Sequence, residues 1–70
     1  MGRQKDFSVL IEDELCLVSF MNMQTPEGLQ IVCLRPLGRV RKDGSRRPMK
    51  RYSSGIITTN GKVIRKSAWM

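Results

Sequence analysis

Ile56-Ile57-Thr58-Thr59-Asn60-Gly61-Lys62-Val63-Ile64-Arg65 is the stretch that decides the fold. Two β-branched runs flank an Asn-Gly pair, the dipeptide that best tolerates the positive φ values of a two-residue hairpin loop. Closed that way, the loop sets Thr59 opposite Lys62, Thr58 opposite Val63 and Ile57 opposite Ile64. Ile57 and Ile64 then share one face with Thr59 and Lys62, while Ile56, Thr58, Val63 and Arg65 share the other.

Working outward, the same turn chemistry recurs. Asp43-Gly44 lies between Arg39-Val40-Arg41-Lys42 and Ser45-Arg46-Arg47, and Thr25-Pro26-Glu27-Gly28 places Pro early and Gly late, as a turn or bulged hairpin loop requires. Leu29-Gln30-Ile31-Val32-Cys33-Leu34 is short, β-branched and bounded by Gly28 and Pro36, which reads as a strand. Residues 8–23 admit two readings. As a strand, Leu15, Leu17, Ser19, Met21 and Met23 alternate with Cys16, Val18, Phe20 and Asn22, burying both faces; as a helix, Ile11, Leu15 and Val18 form a stripe that can extend to Asn22, capped by Asp6 or Ser8. The β-branched content and three hairpin turns favour the strand. The expected fold is mostly β: a small antiparallel meander or barrel-like sheet of five to seven strands, turning at 25–28, 43–44 and 60–61. A helix within 8–23 is the alternative.

Seventy residues make one domain at most, spanning 1–70. A hydrophobic share of 40% argues against wholesale disorder, although so short a chain gains only about 3–5 kcal/mol from its core, and homodimerisation is a natural supplement. No apolar run is long enough to span a membrane. Glu12, Asp13 and Glu14 break the apolar stretch that a signal peptide needs, and Asp6 stands where N-myristoylation after Gly2 requires Ser or Thr. Cytoplasmic localisation is therefore expected.

Catalysis has few parts to work with. The chain has no histidine, so the usual acid–base shuttle and the Ser-His and Cys-His pairs are absent. Cys16 and Cys33 cannot fill the four positions of a zinc site; they read as buried thiols on neighbouring strands, close enough to invite an accidental disulfide on oxidation. No metal site or cofactor is expected, and the chain reads as a non-enzyme. On a strand, Glu12 and Glu14 of Glu12-Asp13-Glu14 would share a face and could hold Mg²⁺ with waters, but a solvated turn or an internal counter-charge for the basic half is the simpler account.

The net charge of +7 is unevenly divided. Residues 1–34 carry two basic and five acidic side chains, net −3, whereas residues 35–70 carry eleven basic and one acidic, net +10. Arg35 to Arg51 holds eight basic residues and one acid in seventeen positions, six of the eight being arginine. Arginine forks suit phosphate and carboxylate. A basic β-hairpin with charge on both faces cannot be core, so it should project from the body or cover an open face. With a two-residue loop at Asp43-Gly44, Arg41 lies near Arg46 and Arg39 near Pro48, whose missing N–H makes that strand an edge or a bulge.

Arg39, Arg41, Lys42, Arg46, Arg47, Lys50 and Arg51 are accordingly the candidate phosphate contacts. Tyr52 is either a base-stacking aromatic or a strand tyrosine with its ring on the core; Ser53-Ser54-Gly55 after it reads as a flexible polar step. Trp69, with Met70, either caps the end of the barrel or forms a contact for a partner or dimer mate. No RNP1, KH-type GxxG or zinc-finger spacing occurs. The leading expectation is a small nucleic-acid-binding accessory or regulatory protein, with DNA and RNA undistinguished. The alternatives are a phage- or virus-like accessory product that docks on and inhibits a larger protein, and a weaker reading as a binder of a small anionic nucleotide.

Overall fold

The computed structural model describes residues 6–70; the readings that involve Gly2, Arg3 and Lys5 lie outside the described residues. Five antiparallel strands follow one another: β1 (Phe7–Ile11), β2 (Glu14–Gln24), β3 (Gln30–Pro36), β4 (Ser53–Ile57) and β5 (Val63–Arg65). Each pairs with its neighbour in sequence, in the order β1-β2-β3-β4-β5, and β1 comes round to touch β5. The result is a curled half-barrel. Residues 8–23 hold no helix: they are strand on either side of a turn at Glu12-Asp13, and β2 shows the alternating burial of a strand.

The register separates two faces. Cys16, Val18 and Phe20 of β2 stand beside Pro36, Leu34 and Val32 of β3, and Val32 and Leu34 in turn face Gly55 and Ser53 of β4. This inner face holds the core of Ile11, Cys16, Val18, Val32 and Leu34, with Val9, Phe20, Ile57, Val63 and Trp69 packed against it. Ser53 is fully buried within it, and Gly55 is buried too. Ser53-Ser54-Gly55 is thus the first half of β4 rather than a flexible step, because only small residues fit where the curled sheet draws β4 onto Leu34.

The Asn60-Gly61 hairpin forms, but with a three-residue loop. Thr58 pairs with Lys62, the Thr58 hydroxyl accepts the Lys62 amide at 3.0 Å, and of the two central residues Gly61 alone has positive φ, 83°. That geometry is a type I turn closed by a left-handed glycine. The register therefore moves by one residue from the two-residue expectation: Ile57 faces Val63, Ile56 faces Ile64 and Gly55 faces Arg65. Thr25-Pro26-Glu27-Gly28 closes identically, the Thr25 hydroxyl accepting the Leu29 amide at 3.0 Å. A two-residue loop does occur, at Glu12-Asp13, where both residues take left-handed φ (54° and 65°) and Ile11 pairs with Glu14.

Cys16 and Cys33 are free and do lie on adjacent strands. Cys16 shares the inner face with Val18, whereas Cys33, opposite Ser19 and Ser54, points to the outer face. Thiols on opposite faces of a sheet cannot reach disulfide geometry.

Candidate nucleic-acid interface

Residues 38–52 leave the end of the sheet where β3 stops and return where β4 begins. They form a tethered arm rather than a regular two-stranded ribbon. At its base Leu37 bridges to Pro48, Met49 donates its amide to the Pro36 carbonyl at 2.7 Å and Gly38 donates to Arg47 at 2.9 Å. At its tip Arg41 donates to the Ser45 carbonyl at 2.7 Å and Gly44 to Arg41 at 2.9 Å, again a three-residue loop. Arg41 therefore stands opposite Ser45 and not Arg46, and Pro48 pairs with Leu37, two residues before Arg39. The cause is the extra loop residue, together with a proline that cannot donate to a ladder. The chain's radius of gyration, 12.6 Å, exceeds the ~11 Å of a compact domain of this length, as an excursion of this kind requires.

The tip is pinned by Asp43, whose Oδ1 accepts the Ser45 amide at 2.9 Å and the Ser45 hydroxyl at 2.6 Å. Those hydrogen bonds favour the charged form and pull the Asp43 carboxyl below its ordinary 3.8. A depressed carboxylate supports the folded tip at higher pH, and the support is lost as pH falls through its folded pKa. We expect the midpoint of the Ser45 amide resonance's movement on acidification to fall below 3.8, with Asp43→Ala abolishing the transition. An NMR titration of that amide tests this.

Arg39, Arg41, Lys42, Arg46, Arg47, Lys50, Arg51 and Tyr52 are all exposed. Of these, Arg46 donates to the Gly38 carbonyl at 3.2 Å, which steadies its stem on the arm. Arg51 is different. Its guanidinium pairs with Glu14 at 2.7 Å and lies 5.5 Å from the centre of the Trp69 ring. Arg65, on β5, lies 5.0 Å from the same ring and pairs with Glu12. Trp69 thus packs on the core with two guanidinium groups over it, joining the β1–β2 turn to the β4–β5 side and closing the open edge of the curl. Tyr52 exchanges backbone hydrogen bonds with Met70, which brings the C-terminal segment alongside β4 and leaves the Tyr52 side chain 45% exposed beside the arm, outside the core.

The acidic cluster serves as counter-charge: Glu12 and Glu14 each hold an arginine. Arg65 is the residue that sequence reasoning left out of the site, and its signal was an arginine sharing a strand face with Val63. Among the described residues no group of His, Cys, Asp or Glu is arranged to hold a metal ion, and no helix is long and apolar enough to cross a membrane. Burial, followed by the charge of Glu14, pushes the Cys16 thiol above its ordinary value and keeps it a poor nucleophile.

Fold and site together define a small curled β-meander that carries on a tethered loop six exposed cations, none of them in an ion pair among the described residues. No protein-family model, curated protein or solved structure matches the chain.

Proposed function

We propose that the chain is a non-catalytic nucleic-acid-binding accessory protein that grips the phosphate backbone with its basic arm. The observation that carries this reading is the arm itself: Arg39, Arg41, Lys42, Arg46, Arg47 and Lys50 are all exposed within twelve consecutive positions, and Asp43, the one acid in that stretch, is held by Ser45. Like charges held this close repel, and a polyanion relieves the repulsion. Exposed Tyr52 at the arm's return supplies an aromatic surface on which a base can stack. Backbone contacts of this kind fix position rather than sequence, so binding is of low sequence specificity.

Fluorescence anisotropy with labelled single- and double-stranded DNA and RNA tests the reading. Six phosphate contacts give a log–log salt slope of about −5 on duplex DNA, so affinity should fall about a thousandfold between ~50 and ~200 mM salt. No binding to any of the four at the lower salt overturns the proposal.

A further inference from the structure

The arm carries more than charge. Val40 is 56% exposed, Met49 41% and Tyr52 45%, so apolar side chains stand in water among the cations. Of the three, Tyr52 is the most firmly placed. It exchanges both backbone hydrogen bonds with Met70, at 3.2 and 2.7 Å, so the two side chains project to the same side. That side is away from the core, because Ser53, the next residue along, points inward and is fully buried. Arg51, on the inward side as well, is taken up by Glu14 and Trp69. Arg35 donates to the Met49 carbonyl at 3.2 Å and sets a further guanidinium at the root of the arm.

Two features bear on whether such an arm takes duplex or unpaired nucleic acid. The first is that both limbs carry cations: Arg39, Arg41 and Lys42 going out, Arg46, Arg47 and Lys50 returning, all exposed. The limbs are joined at intervals, Gly38 to Arg47 and Arg41 to Ser45, and do not make the regular ribbon that lies in a major groove. A duplex, stiff over about 150 base pairs, meets the arm from one side and reaches part of its charge. A single strand bends round it and reaches both limbs. The second feature is the exposed ring. A duplex turns sugar and phosphate outward and keeps its base faces stacked on one another, which leaves Tyr52 unmatched. Unpaired bases offer π faces that an aromatic side chain can stack on. We propose, resting on the nucleic-acid reading and narrowing it, that the arm's ligand is unpaired: a single strand wrapped on the cations of both limbs, with a base stacked on Tyr52.

Anisotropy at ~50 mM salt tests this with labelled oligothymidylate and oligouridylate of about 15 nucleotides, set against DNA and RNA hairpin duplexes of equal length. Charge alone favours the duplex, which releases about 0.9 counterion per phosphate contact against about 0.7 for a single strand. A single strand bound at least tenfold tighter than its duplex therefore reports contact with bases. Tyr52→Ala removes a ring that lies outside the core, and circular dichroism verifies that the fold is kept. It should lower single-strand affinity at least about fivefold while leaving duplex affinity and the salt slope unchanged, because the ring pairs with no phosphate. Tyr52→Phe keeps the ring and should bind as wild type does. A smaller preference for the single strand, or a smaller loss on removing the ring, overturns this proposal while the nucleic-acid reading stands. Binding to none of the four overturns both.

Discussion

Arg46→Glu combined with Arg47→Glu is expected to lower nucleic-acid affinity at least about a hundredfold at low salt. The estimate follows from two lost charge-assisted hydrogen bonds at ~1.5–3 kcal/mol each, where 1.4 kcal/mol is tenfold. Both residues sit on the returning limb of the arm, exposed, with the Arg47 carbonyl tied to Gly38 so that the backbone keeps its place when the side chains change. The salt slope should flatten by about two units, one for each phosphate contact removed. A matched control separates the arm from the protein's general charge. Lys62→Glu with Lys66→Glu alters net charge by the same amount at exposed positions outside the arm, and should weaken binding far less. Equal losses in the two variants would mean that binding reads overall charge and that the arm has no special part. Anisotropy titration of both variants at two salt concentrations decides between them.

The second large effect concerns folding. Gly55 lies on the inner face, and a Cβ there would meet the Ile64 carbonyl oxygen at 2.7 Å and the Leu34 Cδ1 at 2.9 Å. A backbone carbonyl in a strand ladder cannot step aside. Replacing glycine by alanine ordinarily stabilises a compatible site by about 0.4–1 kcal/mol through the unfolded chain. Here the overpacking cost, about 1–3 kcal/mol for the first methyl, reverses the sign. Gly55→Val adds two more carbons at the same point and should remove most of the ~3–5 kcal/mol that a core of this size supplies. The sole tryptophan, Trp69, packs against that core and reports unfolding directly in a urea titration. Ser54→Val, one residue away on the outer face, should be neutral or mildly stabilising. A Gly55→Val protein with the wild-type urea midpoint would contradict the close approach of β4 to β3 and β5.

Turn chemistry made most of this fold legible. Asn60-Gly61, Asp43-Gly44 and Pro26-Glu27-Gly28 announced their hairpins, and the β-branched runs between them announced strands. Register was harder, for a physical reason. Asn-Gly serves equally as a two-residue loop or as the end of a three-residue loop, and the choice falls to the residue two positions before it. Thr58 and Thr25 each offer a hydroxyl to the amide four residues on, which selects the longer loop; at the arm's tip Asp43 holds Ser45 instead. The Glu12-Asp13 turn escaped notice as a hairpin loop because no glycine marks it and Glu12 is not a residue that left-handed backbone ordinarily recruits. In the candidate site, exposure of the arm cations was readable from charge density alone. What could not be read was that Arg51 belongs to a different structure from its neighbours, since its partners Glu14 and Trp69 are remote in sequence and meet it only when the sheet curls.

The nearest-neighbour order of the strands carries a kinetic consequence. β1, β2 and β3 join through short loops, as do β4 and β5, so the chain contains two units of mostly local contacts. Only the β3–β4 seam must close a loop as long as the arm. Loop-closure entropy grows slowly, by about 0.6 kcal/mol for each doubling of length. The arm is therefore a segment whose length sets how fast the two units meet, while leaving the ladder they form unchanged. A chain with the arm cut to a tight turn would fold sooner to the same sheet, and on the proposed reading would no longer bind polyanions.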